Sequence, residues 1–118
     1  MIRTVLRSAI HNATVTHTDV TWPVSLRLDP VLMRAAELLS GEQVEIVNLA
    51  TGVRFATYVE PGGDGEVHAK HPMRSGDIIS ILCYGTLHDG QTLAHRARVI
   101  TLDGSNRIVS LSEADATR

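Results

Sequence analysis

The chain has 118 residues, 43% of them hydrophobic and 20% charged, with a net charge of -2. That predicts one globular domain, 1–118, able to bury roughly two-thirds of its unfolded surface. The charge leaves no cationic footprint for nucleic acid, and one Trp, two Tyr and one Phe are too few for base-stacking platforms. No apolar run approaches the ~20 residues that span a bilayer, and "MIRTVLRSAIHNATV" lacks the apolar core of a signal peptide, so a cytoplasmic protein with no membrane partner is expected. The single cysteine, Cys83, excludes an intrachain disulfide and, within "IISILCYG", predicts a buried and inert thiol.

In chain order, "RTVLRSAIHNATVTHTDV" alternates irregularly, whereas "VSLRLD" alternates cleanly from Val24 to Leu28, as a half-buried strand does. Asp29 then reads as an N-cap with Pro30 at the first helical position. Leu32, Ala35, Ala36 and Leu39 recur at helical spacing until Ser40-Gly41 stops them. "QVEIVNLA" and "VRFATYVE" flank Thr51-Gly52 and predict a hairpin. "PGGDG", residues 61–65, is a turn; "EVHAKH" is a short strand; Ile78 to Cys83 is a central strand buried on both faces. "ARVITLD" and "RIVSL" form a last hairpin around "DGSN", and "SEADATR", residues 112–118, is expected to fray. The sum is a mainly β domain with one or two short helices, its strands close enough for a small barrel.

Chemistry-bearing motifs are sparse. Of six histidines, His68 and His71 stand three apart in "HAKH" and His11 and His17 lie near the start, but no acidic or cysteine partner repeats at ligand spacing, so no metal site is expected. "PGGDGE" lacks the Gly-Lys-Ser/Thr ending of a phosphate loop and precedes no helix. Ser25, Cys83 and several threonines are nucleophile candidates, but no Gly-x-Ser-x-Gly elbow is present. Spacing alone names no activity.

The segments "MIRTVLRSAIHNATVTHTDV", "VSLRLD", "AAELLSGEQVEIVN", "TGVRFATY", "SGDIISILCYGTL" and "RVITLDGSNRIVSL" resemble, in order and spacing, the pyruvoyl-dependent aspartate 1-decarboxylases of β-alanine synthesis. The resemblance covers nearly the whole chain and implies a double-psi β-barrel and a homotetramer with active sites between subunits. In that family a serine attacks the preceding carbonyl, and the chain splits to leave a pyruvoyl group. This group forms a Schiff base with the substrate amine and acts as electron sink for decarboxylation. Ser25 matches the serine by position, Arg54 the arginine that holds a substrate carboxylate, Thr57 a residue that assists cleavage, and Tyr58 the proton donor. His11 also matches a position near the site.

The departures from the family pattern gather at the chemistry. Val24 stands where the family has glycine before the serine, and a β-branched residue resists the strained backbone that favours the acyl shift. Pro23 stiffens the approach, Ala9 replaces a lysine beside the substrate carboxylate, and Trp22 replaces a tyrosine and offers an apolar wall. The family's Asn-Gly-Ala-Ala-Ala pocket stretch is missing; the chain runs "VEPGGDGEVHAKHPMR" there. The expectation is therefore an uncleaved, decarboxylase-like enzyme without cofactor, a hydrolase or lyase acting on a small carboxylate, amide or ester of specialised metabolism. Ser25, Tyr58, Thr57 and His11 are its candidate catalytic residues, and Arg54 and Trp22 its candidate substrate contacts. The alternatives are an authentic L-aspartate decarboxylase carrying a pyruvoyl group made from Ser25, and a non-catalytic binding or regulatory homologue.

Overall fold

The computed structural model describes residues 2–19, 25–88 and 96–115, the side chains of 114 and 115 excepted. Trp22, Pro23 and Val24 therefore lie outside the described residues. Among the described residues nine strands and one helix follow in order: β1 Arg3–Thr14, β2 His17–Asp19, β3 Leu26–Leu28, α1 Pro30–Ala35, β4 Gln43–Asn48, β5 Arg54–Pro61, β6 Val67–Lys70, β7 Ile78–Leu87, β8 Arg96–Leu102 and β9 Ile108–Asp115. They form one sheet in the order β2-β6-β3-β5-β4-β7-β1-β8-β9, strongly curled into a half-barrel. The mainly β barrel class expected from the sequence is what the chain builds. No helix among the described residues is long and apolar enough to cross a membrane.

Local sequence accounts for most of these elements. The irregular alternation of the first segment reflects two register shifts in β1, between Leu6 and Ser8 and between Ile10 and Ala13, with Asn12 at φ 64° in the second. Asp29 caps α1 as expected, its side chain accepting from Val31 N at 2.8 Å and from Gly65 N at 2.8 Å. The helix ends earlier than its apolar spacing predicts. Glu37 adopts φ 57°, Glu37 N donates to Arg34 O and Leu38 N donates to Met33 O, the paired bonds of a Schellman stop. Leu39 is left 73% exposed beyond it.

Hairpins β4–β5 and β8–β9 form where expected. Ser112 to Asp115, expected in a frayed tail, instead continue β9, where Ser112 pairs with Val99 and Glu113 with Arg98. Strand β7 is central, between β1 and β4, but both of its faces are covered only from Ile79 to Ile81, and Ile78 is exposed. The core fills the inner face with Ile10, Leu26, Leu28, Leu32, Ile46, Val59, Ile79, Ile81 and Ile100. Each such side chain contributes about 1.5–3 kcal/mol by leaving water.

Cys83 belongs to this core at 2% exposure. Burial pushes its thiol above the ordinary value; Arg7, whose Nη2 lies 3.0 Å from Sγ, opposes the shift, and Glu42 adds to it. A thiol held protonated is a poor nucleophile. Iodoacetamide is expected to leave Cys83 unmodified in the folded protein near neutral pH and to alkylate it once denatured. Intact mass checks this, and rapid native alkylation would contradict it.

Candidate active site

The inner face of the curled sheet is mostly apolar, and most polar side chains of the central strands stand on the outer face. Side chains alternate between faces along each strand, and residues paired across strands share a face. In β5, Phe55 and Val59 pack toward the core, which leaves Arg54, Ala56, Tyr58 and Glu60 facing outward. Thr57 therefore points inward, 8% exposed, away from Arg54 and Tyr58. Thr57 only borders the floor of a small concavity with Gln43, Ala56 and Tyr58.

Register then extends the outer face sideways. Gln43 pairs with Tyr58, Glu45 with Ala56 and Val47 with Arg54; on the other side of β4, Glu45 pairs with Leu82 and Val47 with Ser80. Ala9 pairs with Leu82, and His11 Nδ1 lies 2.9 Å from Ser80 Oγ. Ala9 and His11 thus sit in the rows that lead to Ala56 and Arg54. His11 is nonetheless three strands from Arg54, about 14 Å at the usual strand spacing. Within one chain, His11 is not part of the group formed by Ser25 and Tyr58, and Arg54, four residues from Tyr58 along β5, is itself about 14 Å from it.

Ser25 joins that group from the other edge. Strand β3 runs parallel to β5, with Leu26 beside Val59 and Arg27 beside Glu60, so Ser25 stands next to Tyr58. It is 6% exposed, and its Oγ donates to Glu60 Oε2 at 3.1 Å. Glu60 was not among the residues the sequence singled out. Its place two residues after Tyr58 in a strand puts it on the same face, but its contact with Ser25 depends on the parallel pairing of β3 and β5.

The central hollow of this face is shallow, about 270 Å³, lined by Gln43, Val44, Glu45, Ala56 and Tyr84. The small Ala56 side chain leaves the depression between larger neighbours. At its rim Arg54 is engaged by Glu45, with Nη2–Oε1 at 2.5 Å and Nε–Oε2 at 3.4 Å. The hydrogen bond from Arg54 holds the Glu45 carboxyl below its usual range, and Glu45 in turn raises Arg54. Tyr84 donates to Glu45 Oε1 at 3.3 Å, and its phenol is pushed up by burial and then by the Glu45 charge. A ligand carboxylate reaching Arg54 must compete with Glu45. Tyr58 and Tyr84 are 58% and 46% exposed, so the face is open to solvent in a single chain.

His17 and His68 are accounted for locally. His68 Nε2 lies 2.9 Å from Asp19 Oδ2 and its Nδ1 3.4 Å from Glu66 Oε2, and its ring is tilted against His17 at 5.4 Å. Among the described residues no group of three or more His, Cys, Asp or Glu is placed to hold a metal ion. A separate cavity of about 410 Å³ involves Arg7, Arg98, Glu37 and Glu113, far round the sheet from Ser25. Two of its arginines are already bonded, Arg7 to Glu42 and the Glu37 carbonyl, Arg98 to Glu37, Glu113 and the Ala35 carbonyl.

The outer face of the curled sheet thus carries Ser25 beside Tyr58 on adjacent strands, with Arg54 farther along β5. The aspartate decarboxylase family model matches residues 1–109. A match over so much of the chain settles its kinship: the protein belongs to the aspartate decarboxylase family.

Proposed function

We propose that this member of the family keeps Val24 joined to Ser25 and works without a pyruvoyl group. In this reading it is a hydrolase or lyase acting on a small carboxylate-bearing ester, amide or related metabolite of specialised metabolism. The observation that carries the reading is the Ser25 Oγ to Glu60 Oε2 hydrogen bond of 3.1 Å. A pyruvoyl group made from Ser25 would replace a hydroxyl that donates to this carboxylate with a carbonyl that only accepts. Glu60 is thus a ready partner for the serine hydroxyl. Ala9 and Val24, in place of the family's lysine and glycine, support the same conclusion.

In this scheme Arg54 docks the substrate carboxylate, to which its planar fork is suited. Ser25 supplies the nucleophile, and Tyr58, beside it on β5, supplies a proton. Thr57 lies on the inner face next to Tyr58, Arg54 and His11 belong to the share of the site that a neighbouring subunit completes, and Trp22 forms an apolar wall. Two half-exposed tyrosines and the distance from His11 to Ser25 support a homotetramer with sites between subunits. The setting is cytoplasmic.

The second reading is an authentic pyruvoyl-dependent L-aspartate decarboxylase. The retention of Ser25, Arg54, Thr57 and Tyr58 and the family match favour it. Radiolabelled L-aspartate separates the two. No carbon dioxide above background is expected from the purified protein, and sustained release with formation of β-alanine would establish the second reading.

A further inference from the structure

We propose that Glu60 is the general base for Ser25, and that the pair acts as nucleophile and proton acceptor toward esters or amides of small carboxylic acids. The inference rests on the reading of Ser25 as an intact serine. A serine hydroxyl is a weak nucleophile near neutral pH until a base takes its proton. At 3.1 Å, Oε2 of Glu60 lies within the 2.6–3.2 Å reach that direct transfer requires. The contact is built by the fold: β3 and β5 run parallel, and Arg27 and Glu60 pair two residues beyond Ser25, the next pair on its face.

The other bases of this region are committed elsewhere. Both ring nitrogens of His68 face carboxylates, Asp19 at 2.9 Å and Glu66 at 3.4 Å. His11 bonds to Ser80, four strands from Ser25, or about 19 Å at the usual spacing. Glu45 holds Arg54. Glu60 is the acidic side chain bonded to the hydroxyl itself.

The chemistry balances without any further reagent than water. As the bond from Oγ to the acyl carbon forms, the Ser25 proton passes to Glu60 and the carbonyl π electrons move onto oxygen. Collapse breaks the bond to the alcohol or amine, which leaves with the proton returned by Glu60. Water then attacks the Ser25 ester, giving a proton to Glu60 that returns to Oγ as the acid departs. One water is consumed, and one acid and one alcohol or amine are released.

The probe is an ethoxy fluorophosphonate applied to the full chain, read by intact mass and peptide mapping. Ser25 is expected to be labelled and Ser25→Ala to remain unlabelled. Glu60→Gln keeps an acceptor oxygen for the hydroxyl but is no base, so labelling should slow by about 100-fold or more with an unchanged Tm. Glu60→Asp should recover part of the rate. Labelling of Glu60→Gln at the wild-type rate overturns the role of Glu60 and leaves the intact-serine reading standing. An intact wild-type chain that takes no label at Ser25 also overturns it. A wild-type chain already split before residue 25 overturns the underlying reading as well.

Discussion

Replacing Asn106 by alanine is expected to lower the unfolding free energy by about 3 kcal/mol, the sum of lost buried hydrogen bonds at about 1 kcal/mol each. Asn106 is 1% exposed and sits at φ 60° in the turn between β8 and β9. Its Oδ1 accepts from Thr14 N at 2.8 Å, and its Nδ2 donates to Thr14 O at 2.9 Å and to Gly65 O at 3.0 Å. One side chain therefore ties the end of β1, the glycine-rich turn and the last hairpin together. Alanine removes all three bonds and is also disfavoured in a left-handed conformation that asparagine tolerates. Urea unfolding checks this: the midpoint should fall with an unchanged slope. A loss below about 1 kcal/mol, no more than one such hydrogen bond, would contradict the clamp.

Arg54→Ala and Glu45→Gln are expected to change carboxylate binding in opposite directions. Arg54 is proposed to dock the substrate carboxylate, but Glu45 occupies its guanidinium in the free protein. Succinate serves as a probe of this docking. Arg54→Ala should weaken its binding roughly tenfold or more, since a bidentate, charge-assisted contact is lost. Glu45→Gln should tighten it severalfold, because the internal competitor no longer carries charge. The Glu45 carboxyl is held below its usual range by the Arg54 hydrogen bond, so this competition persists as pH falls until that lowered value is reached. Both effects should shrink at high salt, as the pair lies at the surface. Titration calorimetry or NMR reads both variants; unchanged binding in Arg54→Ala, or weaker binding in Glu45→Gln, would contradict the docking role.

Where the fold was legible, the signal was local. Asp29-Pro30 opened the helix, Thr51-Gly52 turned the hairpin, and strict alternation marked Leu26 and Leu28 as inward. Leu39 extends the apolar spacing and Ser40-Gly41 supplies an ordinary stop, so the sequence pattern overstates a helix that ends at Ala35. The chain instead places Glu37, not a glycine, in the left-handed position and buries Leu38 in the same core as Met33. The polar composition of residues 112–115 concealed a strand whose backbone pairs with β8.

The site divides along the same line. Alternation along "RFATYVE" is enough to separate Arg54, Tyr58 and Glu60 from Thr57. Period-2 reading does not reveal that Ser25 meets Glu60, because that contact comes from the parallel pairing of strands 35 residues apart. The same holds for His11, whose position depends on the pairing of β1 with β7 across a bulge. Trp22 and Val24 lie outside the described residues.

The most direct test of the account is the intact mass of the purified protein, before and after treatment with hydroxylamine as a trap for a pyruvoyl carbonyl. One species at the mass of the full 118-residue chain, unchanged by the trap, is the predicted result. Two fragments dividing between Val24 and residue 25, with the carbonyl trapped on the second, would contradict it and return Ser25 to the role of cofactor precursor.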